Sequence, residues 1–176
     1  FAVNHLLDHS LEPALNEHVA RLEALDEVEA GKAFFDFRVA DIAMGSGHFL
    51  VAAVDRIERR LQQYLSDRPL PVVIDELARL RTSATKALGS LAEGTDIEDT
   101  TLLRRQIARR CIYGVDLNPV AVELARVSLW IHTFVPGLPL SMLDHHLVEG
   151  NSLVGIGTLD EARELVSEAA GGPLFN

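Results

Sequence analysis

Apolar residues in the first part of the chain recur first with a helical period and then with a strand-like one. Residues 2–29 repeat leucine and valine at three- and four-residue spacing, which predicts helices, with a break expected at Pro13 and an end at Gly31. The run 35–42 carries aromatic and branched side chains that favour a buried strand. Across 49–65 the apolar positions return to one helical face. The pattern therefore predicts a helical segment, a strand and a further helix.

The remainder of the chain repeats this alternation. Two helices are predicted within 72–110, and a β-rich run follows at 111–116. Residues 119–134 predict a helix that is apolar nearly all round, which is typical of a helix buried on several sides. A third strand is expected at 146–149.

Three strands that end in polar or glycine-rich turns, with helices between them, predict an α/β fold with a partial doubly wound parallel sheet. We expect residues 1–33 to form an N-terminal helical segment and 34–155 the ligand-binding part of the domain. Within it, about 66–110 is expected to be a helical insertion, and 156–176 a truncated C-terminal extension. Ligands bind such sheets at the carboxyl ends of the strands.

The turn after the first predicted strand is the most informative stretch. Gly45 and Gly47 allow backbone angles and a close ligand approach that a Cβ would block. A strand–Gly-x-Gly–helix unit presents backbone N–H groups and a helix N-terminus to a ligand. Leu50 stands at the third glycine of the dinucleotide fingerprint, and no Gly-Lys-Ser/Thr occurs, so neither that fingerprint nor a P-loop is present.

Polar side chains stand at the ends of all three predicted strands. Asp41 ends the first, Asp116 ends the second, and Asn151 follows the third. An acidic residue at the end of the second strand is placed to accept hydrogen bonds from both ribose hydroxyls of a nucleoside. Asn151 could bond a base edge through its amide. The long separation of Asp41 from Asp116 fits an insertion between the two strands.

Composition and charge narrow the possible partners. The net charge of −10 argues against a broad nucleic-acid grip by this stretch, because phosphate contacts require Lys and Arg. The single Cys111 suits a reducing cytoplasm and is expected to be a small buried hydrophobe. His5 and His9 have the spacing of a metal pair, but no third ligand is nearby, so no metal site is predicted. No membrane span is expected.

Four stretches of the chain carry motif-like sequences. They are Asp41-Ile-Ala-Met-Gly-Ser-Gly-His-Phe-Leu50, Tyr113-Gly-Val-Asp-Leu-Asn-Pro-Val-Ala-Val-Glu-Leu-Ala-Arg126, Leu143-Asp-His-His-Leu-Val-Glu-Gly-Asn-Ser-Leu-Val-Gly155 and Asn4-His-Leu-Leu-Asp-His-Ser-Leu-Glu-Pro-Ala-Leu15. The first two resemble the first and second motifs of the amino-group (adenine-N6) DNA methyltransferases. The third is similar to the third motif region of the large restriction–modification and phage-defence members. The last resembles the helix after their amino-terminal cofactor-contacting motif.

This resemblance implies a Rossmann-like class I methyltransferase domain with S-adenosylmethionine as its cofactor. The glycines would let the backbone approach the methionine part, Asp41 would orient its amino end, and Leu117 would pack on the adenine. Asp116 would hold the ribose hydroxyls. Asn151 stands where the family more often has Asp; its amide oxygen could still accept from the adenine amino group, so weakened but not abolished binding is expected there. The cofactor-binding residues implied are Asp41, Ala43, Gly45, Ser46, Gly47, Asp116, Leu117, Asn151 and Ser152.

The catalytic motif of that family, Asn/Asp-Pro-Pro-Tyr/Phe, does not occur in this sequence. Such motifs bond the target amino group and stack on the flipped base. The chain, which starts at Phe1 and closes after Gly-Gly-Pro, is therefore expected to be an inactive cofactor-binding portion of a cytoplasmic DNA methyltransferase. DNA would be bound by other parts of the full-length protein. A nicotinamide-dependent oxidoreductase domain and a non-catalytic α/β assembly module remain the alternatives.

Overall fold

The computed structural model describes residues 2–92, 96–139 and 146–153. Helices and strands alternate along the chain after an N-terminal helical segment. The elements are α1 (Ala2–Leu6), a π-helical turn (Leu7–Leu11), α2 (Glu12–Ala24), α3 (Glu27–Ala33), β1 (Val39–Asp41), α4 (His48–Asp67), α5 (Pro71–Leu88), a 3₁₀ turn (Gly89–Ala92), α6 (Asp99–Cys111), β2 (Ile112–Asp116), α7 (Pro119–His132) and β3 (Leu147–Glu149).

The three strands form one parallel sheet in the order β1-β2-β3. Helices α4, α5 and α6 connect β1 to β2, and α7 connects β2 to β3. Val39 lies opposite Ile112, and Gly114 lies opposite Leu147. The described residues therefore build a β-α-β-α-β unit, which is compatible with part of a Rossmann-like, doubly wound sheet.

The first strand is shorter than its apolar run predicts. Phe35 and Phe37 are buried but precede β1, and Ile42 follows the strand and is exposed. The carbonyl oxygen of Phe35 accepts from Arg38 Nη1 at 2.5 Å and from Cys111 Sγ at 3.6 Å, so side chains occupy it in place of a strand partner. An apolar run of this kind is compatible with buried irregular backbone as well as with a strand, which explains the difference.

A second N-terminal helix, α2, begins beside Pro13 as expected, but a π-helical turn joins it to α1, so the helical path is not interrupted there. Glu12 donates its backbone N–H to the carbonyl oxygen of Leu7, a five-residue step that belongs to the π-helical turn. Pro13, which has no N–H to donate, then falls in the first turn of α2. The hydrogen bond that Pro13 cannot donate is therefore missing where the π-helical turn meets α2, and the helix continues past it.

The expected helix end at Gly31 is wrong. The chain breaks earlier, at Leu25, and Asp26 caps α3 by accepting the Glu29 N–H at 2.9 Å. Gly31 lies buried inside α3, where a Cβ would come within 3.1 Å of the Val72 Cβ. This glycine therefore serves the close approach of α3 to α5.

Helices α5 and α6 occupy the region predicted as an insertion. The long helix α4 packs against α6, and α6 packs against α5. Arg104 of α6 binds Glu58 of α4 at 2.7 Å, and Arg110 of α6 binds Glu76 of α5 at 3.2 Å. Cys111 is buried at the end of α6, as predicted, and burial raises the pKa of its thiol to about 12.

Helix α7 is buried on one side only, contrary to the prediction of burial on several sides. Val122, Ala125 and Leu129 face the core, while the apolar residues of the opposite face are exposed. None of the described helices is both long and apolar enough to cross a membrane.

Candidate functional site

The turn after β1 is held by hydrogen bonds that its backbone N–H groups donate. Asp41 accepts the Ala43 N–H through Oδ1 at 3.0 Å, which turns the chain away from the strand. Met44 donates its N–H to the carbonyl oxygen of Val115 in β2 at 3.1 Å, and its carbonyl accepts the Gly47 N–H at 2.9 Å. Met44 is buried beneath the turn. The turn is therefore anchored both to its own strand and to the neighbouring one.

Both glycines of the turn have positive φ angles, +54° at Gly45 and +82° at Gly47. Gly47 also contacts α7, because a Cβ there would lie 3.1 Å from the Ala125 Cβ. Gly45 differs, because a Cβ there would meet no atom within 4 Å. Open space above the Gly45 backbone is the arrangement that a closely approaching ligand requires.

Asp116 joins the glycine turn to the end of β2. One carboxylate oxygen, Oδ2, accepts the Gly45 N–H at 2.8 Å, and the other, Oδ1, accepts the Asn118 N–H at 2.9 Å. The hydrogen bond from the Asn118 N–H, and after it that from the Gly45 N–H, lower the pKa of the Asp116 carboxyl. Each oxygen keeps a second lone pair, so the ionised group can still accept two hydroxyl donors.

The start of α7 is built as its sequence predicts. Asn118 caps the helix by accepting the Val120 N–H through Oδ1 at 3.0 Å, and Pro119 occupies the first turn. Leu117 lies between Asp116 and the cap and is 68% exposed. An apolar side chain this exposed, next to an acidic strand end, can pack on the flat face of a base.

The end of β3 lies beside the end of β2. Gly150 donates its N–H to the carbonyl oxygen of Asp116 at 3.0 Å. Asn151 uses its side-chain oxygen to accept the Leu153 N–H at 3.0 Å, and both Asn151 and Ser152 are exposed. The amide –NH₂ of Asn151 is not engaged by that turn bond.

A direct hydrogen bond thus joins Gly45 to Asp116. Gly150, the residue before Asn151, is hydrogen-bonded to the backbone of Asp116 at the end of β2. Asp41 lies at the end of β1 and uses one oxygen in its own turn. Ser46 lies in the glycine turn, where its hydroxyl is 2.9 Å from Nδ1 of His48. Ala43 contributes its backbone N–H to the Asp41 turn.

The sequence did not predict the role of two residues that pack beneath the glycine turn. A Cβ at Gly114 of β2 would lie only 2.2 Å from Sδ of Met44, so this glycine makes room for the side chain under the turn. The signal was a glycine inside a β-rich run, which often marks close packing. Met44 carried no signal, because a methionine in a turn does not reveal the direction of its side chain.

Nothing in the part of the chain that the structure describes suggests a metal site. No three His, Cys, Asp or Glu side chains are grouped there to hold an ion. The rings of His5 and His9 lie 4.1 Å apart, and Nδ1 of His9 is 2.8 Å from the carbonyl oxygen of His5. The residues around Gly45 and Asp116 instead fit a nucleoside-containing cofactor, since they combine open backbone, an ionised acceptor and an exposed apolar side chain.

Comparison with known proteins finds a similarity to a methyltransferase. The chain is similar to a protein of Methanocaldococcus jannaschii that is described provisionally as a type II restriction enzyme and methyltransferase. The two are 24% identical over 168 residues, which cover 87% of this chain but 11% of that relative. No family model matches the chain, and no solved structure matches it. The similarity supports a distant relation to methyltransferases.

Proposed function

We propose that this chain is the S-adenosylmethionine-binding part of a DNA methyltransferase that methylates the exocyclic amino group of adenine. The observation that carries the proposal is the hydrogen bond from the Gly45 N–H to the Asp116 carboxylate. It joins a positive-φ glycine turn and an acidic strand end at the same edge of a parallel sheet, where cofactors bind in such folds. The distant methyltransferase relative supports the same class of chemistry.

Each proposed contact uses a lone pair, an exposed side chain or an open backbone position of the described site. The second lone pairs of the Asp116 oxygens accept the two ribose hydroxyls, each a charge-assisted bond worth about 1.5–3 kcal/mol. Leu117 packs on the adenine, and the Asn151 side chain lies at the neighbouring strand end to bond the base edge. The open space at Gly45 receives the methionine part of the cofactor.

Methyl transfer itself requires groups that this sequence does not contain. The Asn/Asp-Pro-Pro-Tyr/Phe motif, which in the resembled family holds the target amino group, is missing from residues 1–176. We therefore place the catalytic residues and the DNA contacts in further parts of a longer polypeptide. The net charge of −10 agrees with this division, because a DNA-binding surface requires clustered positive charge.

A titration that compares two nucleotide ligands tests the cofactor assignment. Calorimetric titration with S-adenosylhomocysteine should give saturable one-to-one binding, and a large excess of NADH should not compete. Leu50 replaces the glycine that the dinucleotide fingerprint requires, so NADH is expected to bind poorly. Binding of NADH with displacement of S-adenosylhomocysteine would favour an oxidoreductase domain and contradict the proposal.

A further inference from the structure

Glu149, the last residue of β3, lies beside Asp116 at the end of the sheet. The two residues are register partners in the parallel pair of β2 and β3, so their Cα atoms are about 5 Å apart. Register partners of these strands share a face, because a Cβ at Gly114 would lie 3.0 Å from Cδ2 of its partner Leu147. Asp116 and Glu149 each follow two residues later and therefore share that same face. Glu149 is thus a second carboxylate at the edge where the cofactor is proposed to bind.

The fold itself does not use the Glu149 carboxylate. The side chain is exposed, and within the part of the chain that the structure describes no group donates to it. Asp116 differs, because it already accepts from the N–H groups of Gly45 and Asn118. Two carboxylates on neighbouring strands repel each other. A ligand with hydrogen-bond donors for both of them would offset this repulsion.

The order of the strands gives the direction in which the proposed cofactor lies. Gly45, after β1, is the open position for the methionine part, and Asp116, at the end of β2, is proposed to hold the ribose. The ribose joins the methionine part to the adenine, so an extended cofactor has its adenine on the far side of the ribose from Gly45. In the sheet order β1-β2-β3, that side is the end of β3, where Glu149 lies.

The chemistry of adenine leaves one group for a carboxylate to bind. An ionised carboxylate only accepts hydrogen bonds. The ring nitrogens N1, N3 and N7 of adenine are acceptors as well, and the exocyclic amino group alone carries N–H donors. Glu149 can therefore bind the base through that amino group and through no other polar atom of the ring edge.

Asn151, which the resemblance implies for the base edge, is less suited to the amino group. Its side-chain oxygen already accepts the Leu153 N–H at 3.0 Å, and the group that this bond leaves unused, –NH₂, is a donor. A donor can bond the ring nitrogens but not the amino group. We infer that Glu149 accepts a hydrogen bond from the adenine amino group and so selects adenine over a base with an oxygen there. This inference rests on the proposed function of the chain.

Calorimetric titration with S-adenosylhomocysteine and with S-inosylhomocysteine, in which an oxygen replaces the amino group, tests the inference. The wild type should bind the adenosyl ligand at least about tenfold more tightly, because the inosyl oxygen would face a carboxylate with no hydrogen between them. Glu149→Gln should bring this ratio close to one, since a glutamine amide can accept from the amino group or donate to the oxygen. Glu17→Gln is the matched control, an exposed glutamate of α2, and should keep the wild-type ratio.

Asn151→Ala separates the role of Glu149 from that of its neighbour. This variant should weaken both ligands by a similar factor, because N3 and N7 are acceptors in both bases, and it should keep the preference for adenine. Equal affinity of the wild type for the two ligands, an undiminished preference in Glu149→Gln, or a preference lost in Asn151→Ala would overturn the inference and leave the proposed cofactor in place. A wild type that binds neither ligand would overturn the proposed function, and the inference with it.

Discussion

Gly114 is the residue on which the candidate site rests most directly. Its hydrogen side faces Sδ of Met44, with methyl groups of Leu50 and Leu147 also close, so the turn, α4 and β3 meet above it. A side chain here would push Met44 out of its place below the glycine turn. We therefore expect packing at Gly114, outside the ligand site, to affect the geometry of the glycine turn.

We expect Gly114→Ala to lower the free energy of unfolding by about 1–3 kcal/mol, the usual cost of overpacking a core. The added Cβ would lie 2.2 Å from Met44 Sδ, far inside contact distance. Urea denaturation of Gly114→Ala, Met44→Ala and the double variant measures this cost. The double variant should lose less than the two single losses combined; strictly additive losses would show that Met44 is not the obstacle.

We expect His18 to make the stability of the fold depend on pH. It is buried, its ring lies 5.4 Å from that of Phe37, and Nε2 is 3.2 Å from the carbonyl oxygen of Phe34. Burial lowers its pKa below the ordinary 6.5, and this outweighs the Phe34 hydrogen bond, which raises it; Arg21 lowers it further and Asp36 raises it.

The unfolded chain protonates His18 at a higher pH than the folded chain does. Between the two pKa values of His18, the unfolded state therefore holds more protons. The free energy of unfolding should therefore fall as the pH drops from about 7.5 through 6.5 and below. Urea denaturation of the wild type and of His18→Gln across this range checks the sign. If the variant shows the same slope as the wild type, His18 is not the group responsible.

At the scale of elements, strand ends and helix starts were easier to predict than strand lengths and helix exposure. Asn118 and Pro119 correctly predicted the start of α7, because helix capping depends on a few neighbouring atoms. The apolar period around α7 could not reveal which side faces the sheet, because both sides are apolar. The π-helical turn before Pro13 contacts α4, where Arg56 pairs with Asp8 at 2.9 Å, and such a contact between distant residues does not show in the local pattern.

The cap of α7 should carry measurable stability. Asn118→Ala removes the acceptor of the Val120 N–H and should cost about 1 kcal/mol, the usual value of an N-cap. Asn118→Asp keeps an acceptor oxygen and should restore most of the loss. Equal stability of Asn118→Ala and the wild type in urea denaturation would show that water replaces the cap fully.

At the scale of the whole molecule, the sequence predicted the alternation of strands and helices, and the structure confirms a parallel α/β sheet. The strand order could not be derived from spacing alone, since pairing is decided by contacts between residues far apart in the chain. The positions of the Asp41 turn, Asp116 and Leu117 were predicted. The Gly45–Asp116 bond, which joins them, was not, because it links two segments separated by three helices.

At this end of the sheet, we propose that Asp116 holds the ribose of S-adenosylmethionine. Its two hydroxyl bonds would contribute about 3 kcal/mol or more together, a factor of at least about 100 in the dissociation constant. Asp75 on α5 is exposed and lies in a different element, so Asp75→Ala is a suitable control of equal chemistry.

The most direct measurement is calorimetric titration of the wild type, Asp116→Ala and Asp75→Ala with S-adenosylhomocysteine and with its 2′-deoxy analogue. The wild type should bind the deoxy analogue more weakly, Asp116→Ala should bind both ligands at least about 100-fold more weakly with little difference between them, and Asp75→Ala should match the wild type. Unchanged affinity in Asp116→Ala, or an undiminished preference for the hydroxylated ligand, would contradict the assignment of Asp116 to the ribose hydroxyls.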